Sequence, residues 1–150
     1  MKKTLLLILL LALLAGCAPA APTATPEPRL SSCEYLERWT PWFKMMTDRA
    51  AAAFEDYSNE NFNNEPLEAH IFFLETLRDE VEETQVEAAG AEMHRQTLNV
   101  IDLGLTVFET LRDEGPAEMS RPRFKELFEQ YTDDLWELMR VSNELRKGCP

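Results

Sequence analysis

What this sequence lacks narrows its chemistry first. It contains no Gly-x-Ser-x-Gly elbow, no phosphate-binding loop and no His-Glu-x-x-His pair. The local arrangements that expose a serine nucleophile, cradle a phosphate or hold a catalytic zinc are therefore missing. No Glu-x-x-His pair occurs, which argues against a carboxylate-bridged di-metal centre in a bundle. Without Cys-x-x-Cys-His there is no covalent haem attachment. Strand-type alternation of apolar and polar residues is not sustained anywhere, which leaves helix as the regular structure available. Positive charge is also short: 15 Lys and Arg stand against 27 Asp and Glu, a net charge of −12. A surface of that sign does not neutralise phosphates, so nucleic acid is not an expected partner, and neither is an anionic headgroup surface. The abundant carboxylates read as a solvated face rather than as acid–base pairs. The expectation is a protein that is not an enzyme.

The longest apolar run, Leu5 to Leu14, follows Lys2 and Lys3. It falls short of the roughly 20 residues needed to cross a bilayer core. A charged start, an apolar stretch of this length and small residues at its end describe a secretory signal. The end of the run, Leu14-Ala15-Gly16-Cys17, resembles the lipobox of bacterial lipoprotein precursors. That resemblance covers the first seventeen residues and implies cleavage before Cys17. It also implies a covalent lipid on Cys17, with no other cofactor, and attachment of the exported chain to a cell membrane on its extracytoplasmic face. Two or more acyl chains hold a protein stably where one holds it marginally. An ordinary secretory signal with a chance cysteine is the alternative. Ala18 to Pro28 then carries four prolines, which forbid helix and favour an extended tether of about 3 Å per residue. The expected division is a signal over 1–16, a lipidated cysteine and Pro-rich tether over 17–30, and a helical domain over 31–150.

Setting Cys17 aside leaves Cys33 and Cys149, at the two ends of the domain. In an oxidising compartment an even pair favours a disulfide; the metal-binding alternative has no Cys-x-x-Cys and no neighbouring histidine. Four segments show helical periodicity. The first runs from about Ser32 to Tyr57, with Leu36, Trp39, Phe43, Met46, Ala50, Ala53 and Tyr57 inward and a capping box at Ser31 and Glu34. Pro41 predicts a kink there or a short turn before it. The second runs from about Pro66 to Glu87 with Leu67, Ile71, Leu74, Leu77 and Val81 inward. The third runs from about Ala91 to Glu114 on Met93, Thr97, Val100, Gly104, Val107 and Leu111, with Ile101, Leu105 and Phe108 beside them. The fourth runs from about Pro122 to Lys147, with Phe124, Phe128, Tyr131, Leu135, Leu138 and Leu145 inward. The fold class is all-α: an antiparallel four-helix bundle if the chain turns at Gly90, or a bundle in which helices two and three are fused if it does not.

Candidate sites are few. His70 falls on the inward side of the second helix, where it serves either as a hydrogen-bonded core residue or as a haem or metal ligand. His94 lies about 20 Å away along the bundle, too far to share a metal with it. The methionines are scattered, and gap-filling accounts for them better than soft-metal binding. Asp56, Ser58 and Glu60 faintly echo a calcium loop, but Asn61 replaces its glycine and Leu67 its final ligand. Glu75–Glu80 repeats as Glu109–Glu114 without extending into a repeat pattern. Phe72 and Trp136 lie off the apolar seams of their helices, and large apolar side chains in such positions mark contacts for a partner. The expected function is a tethered, protein-binding or structural module of the cell envelope. The alternative is a haem- or metal-binding bundle using His70.

Overall fold

Ser31 starts the first helix. Its backbone N–H and its hydroxyl both donate to Glu34 Oε2, at 2.8 and 2.7 Å, and Glu34 N–H donates back to Ser31 Oγ at 3.3 Å. This reciprocal cap satisfies donors that a helix start leaves free. In the computed structural model, residues 29–58 and 64–150 are described. The signal, Cys17, most of the tether and the connection at 59–63, with its calcium-loop echo, lie outside them. Among the described residues four helices follow one another: α1 (Ser32–Ser58), α2 (Glu65–Glu83), α3 (Ala91–Glu114) and α4 (Pro122–Arg146). Short 3₁₀ turns at Ala88–Gly90 and Pro116–Ser120 separate the last three. Each helix packs on its sequence neighbours and α1 closes the ring against α4, so the fold is an all-α antiparallel four-helix bundle.

Two details differ from the sequence expectation. Pro41 does not start the helix after a short turn, since α1 runs unbroken through it. Glu37 and Pro41 are both exposed, so the carbonyl that loses its donor faces water, and one missing bond is tolerated. The second helix ends at Glu83 rather than near Glu87. Thr84 turns extended, and the next residues pair instead with the chain leading into α1: Leu30 N–H donates to Gln85 O at 2.8 Å and Glu87 N–H to Leu30 O at 2.9 Å. Leu30, assigned to the tether by its position after the prolines, thus belongs to the folded body. This pairing and the turn at Ala88–Gly90 separate α2 from α3 and exclude the fused helix.

The core lies on the faces that the periodicity predicts. Leu67, Ile71, Leu74, Leu77 and Val81 of α2 are buried, as are Met93, Thr97, Val100, Gly104, Val107 and Leu111 of α3. Tyr35 and Trp42 of α1 are buried as well, which widens that helix's inner face beyond the predicted stripe. Cys33 and Cys149 form a disulfide with Cα atoms 5.6 Å apart. It closes a loop of sequence separation 116, and loop-closure entropy makes such a link worth about 4–5 kcal/mol. One end of the bundle is therefore held by the disulfide, by the Leu30–Val86 bridge and by the Ser31 cap. At the other end Gly115 takes φ 82° to turn the chain. There the buried carboxylate of Glu118 lies 2.9 Å from Arg121 Nη1.

Candidate functional site

The seam between α1 and α4 is the loosest of the four neighbouring pairs. Along its middle runs a groove of about 320 Å³, lined by Phe43 and Thr47 from α1 and by Thr132, Leu135, Trp136 and Met139 from α4. Phe43 is fixed from behind by stacking on Trp39, ring centroids 4.8 Å apart. The two threonines bring no free donor to the groove. Thr47 Oγ1 donates to Phe43 O and Lys44 O at 3.1 and 3.0 Å. Thr132 Oγ1 donates to Phe128 O and Glu129 O at 3.1 and 2.8 Å. With their protons given to their own helices, these side chains turn methyl groups and little else to a visitor. The groove is therefore apolar by construction. Trp136 stands at its edge with 68 % of its surface exposed, an uncommon exposure for the largest apolar side chain.

Of the two aromatics singled out from the sequence, Trp136 lines this groove and Phe72 does not. Phe72 is 69 % exposed on α2, diagonal to α4 in the ring, so the two rings belong to different faces. The other lining residues were harder to foresee. Phe43 and Leu135 read as ordinary core positions, and Met139 as a gap-filler. They border a groove only because α1 and α4 approach loosely, a property of the assembled ring that a single helix pattern does not contain. The disulfide end of the same seam holds a second cleft of about 230 Å³, bordered by Cys33, Leu36, Glu37, Thr40, Arg146 and Cys149.

His70 is fully buried, with neither ring nitrogen hydrogen-bonded. This differs from the hydrogen-bonded core histidine weighed at the sequence level. Its ring meets Phe108 edge-on at 4.3 Å and Phe73 at 6.3 Å. Burial first, and the Arg49 guanidinium second, push its pKa down to about 4, so the ring is neutral at pH 7. His94 sits far along α3 against Tyr35, centroids 5.5 Å apart, and burial lowers its pKa too. Among the described residues no three metal-ligating side chains come together. A polar cleft of about 280 Å³ between α3 and α4 includes Thr106, Thr110, Glu118, Arg123 and Gln130. Both threonine hydroxyls there donate to their own helix, at 2.9 and 2.7 Å. Glu118 was not foreseen as buried; Arg121 three residues on was the available signal.

No protein family, curated protein or solved structure matches this chain.

Proposed function

We propose that this chain is a lipid-anchored, extracytoplasmic helical module that docks a partner protein of the cell envelope in the α1–α4 groove. The observation that carries the docking reading is the groove itself, an apolar trough whose hydroxyls are already engaged and whose rim presents an exposed tryptophan. Tryptophan and other rigid aromatics are enriched among the residues that anchor protein interfaces. The location is supported by the lipobox residues Leu14-Ala15-Gly16-Cys17 and by the Cys33–Cys149 disulfide, a bond that persists in oxidising compartments. Among the described residues no helix is long and apolar enough to cross a membrane. In this reading the lipid on Cys17 supplies the attachment and the Pro-rich stretch after it supplies the stand-off. The groove then faces neighbouring proteins. Its polar content is too low to select a small polar ligand, whereas an apolar helix face or an aromatic plug fits it.

The test is photocrosslinking in intact cells. A photoreactive amino acid at position 136 is expected to give one discrete protein adduct. The same group at Gln130, on the α3 side of α4, is expected to give none. Adducts that are the same from both positions, or no adduct from position 136, would contradict the docking reading.

A further inference from the structure

The two ends of this bundle are built differently. One end carries the disulfide, the Leu30–Val86 bridge and the Ser31–Glu34 cap. At the other, the α3–α4 corner is tied by Glu118 and Arg121. Between the helices near that end lies a cluster of rings: Phe54 lies 5.1 Å from Phe108 and 5.0 Å from Phe128, and His70 inserts between Phe73 and Phe108. His70 is the one ring in this cluster that can take a charge between pH 4 and 7.

We propose that His70 is an acid-sensitive latch: protonating it loosens the packing of α2 against α1 and α3 around its ring and bares the aromatic cluster, while the disulfide end stays folded. The charged groups around it leave no compensation. From α1 the facing charge is Arg49, whose guanidinium lies over Phe73 at 5.1 Å. A second cation beside it is repelled. From α3 the facing group is Phe108. Behind it α4 offers Tyr131, whose buried hydroxyl is held neutral because burial raises its pKa. Among the described residues the charge acting on the ring is Arg49, not a carboxylate. Among the described residues a protonated imidazole would thus have no counter-charge and no hydrogen-bond acceptor for either N–H, and such a buried group is expelled to water rather than accommodated.

The direction follows from linkage. The folded-state pKa, about 4, lies below the ordinary histidine value of 6.5. The open state therefore binds the proton first. Closure is fully favoured above about pH 6.5 and is lost as pH falls through the window down to about 4. The full window corresponds to roughly a 300-fold change in the open–closed equilibrium. His94 titrates in the same direction but sits by Tyr35, at the disulfide end.

Hydrogen exchange of the intact exported body, at pH 7 and pH 5 and corrected for the intrinsic rate, tests this. The start of α2 and the last third of α3, around His70 and Phe108, are expected to lose at least about tenfold in protection at pH 5. The last turns of α4, beside the disulfide, should lose none. His70→Phe should keep the pH 7 pattern at pH 5, and His70→Leu serves the same purpose if the larger ring overfills the site. Two results would overturn the latch: a uniform loss over all four helices, or an unchanged acid response in a folded His70 variant. A third needs no variant. A measured His70 pKa at or above 6.5 in the native protein would also end the proposal.

Discussion

At position 104 a side chain would meet both neighbouring helices at once. A Cβ built there lies 3.1 Å from Tyr131 Cε2 and 3.2 Å from Leu74 Cδ1, so the missing side chain is what lets α3 approach α2 and α4 closely. Gly104→Leu is expected to cost about 1–3 kcal/mol through overpacking, read as a lowered denaturant midpoint. Gly90 is the contrast. Its φ is −93°, and a Cβ would meet nothing closer than the 3.6 Å of Ser32 Cα. Gly90→Ala should leave stability unchanged or raise it by up to about 1 kcal/mol. The glycine inside a helix and the glycine between two helices thus have opposite tolerances. The reason lies in which surfaces meet across them.

Among the helices, α4 is the least committed to the core. It buries Phe124, Tyr131, Leu138 and Ser142 fully, while Phe128, Leu135 and Leu145 are only partly covered. Trp136→Ser should therefore change the unfolding free energy by less than about 0.5 kcal/mol. Leu138→Ala, one turn-face away at 0 % exposure, should cost about 2–5 kcal/mol. Equilibrium denaturation of the two variants decides the matter, and a large loss in Trp136→Ser would place that ring in the fold's own support. Element by element, much of this was legible. The apolar spacing located α2 and α3 and their inward faces, and Ser31 with Glu34 announced the first cap. Pro41 misled, because its cost depends on whether the orphaned carbonyl faces water. The end of α2 misled as well, because Leu30, distant in sequence, competes for the backbone of Gln85 and Glu87. The groove was half legible. Trp136 stood out on its own helix, but Phe43, Thr47 and Met139 became its companions only through the spacing of α1 from α4. His70 was legible as an inward residue of α2, yet its lack of a hydrogen-bond partner among the described residues is set by the helices packed against it.

For the molecule as a whole, the acidic composition, the disulfide and the Pro-rich stretch before Arg29 fit one arrangement. The helical body is stapled at the end where the chain enters α1, and its groove and the buried His70 lie farther along. The staple sits where a tether would pull. Cys33 is in the first turn of α1, three residues beyond Leu30, so a force on the amino terminus reaches the Leu30–Val86 bridge and then the disulfide before it reaches the core. The proposed anchorage is tested most directly by fractionating cells that produce either the full chain or its Cys17→Ser form, with the mature amino terminus read by mass spectrometry. The expected result is a lipid-modified Cys17 on membranes in the first case and loss of both lipid and membrane association in the second. An uncut chain, a bare thiol at Cys17, or equal membrane association of the two forms would contradict it.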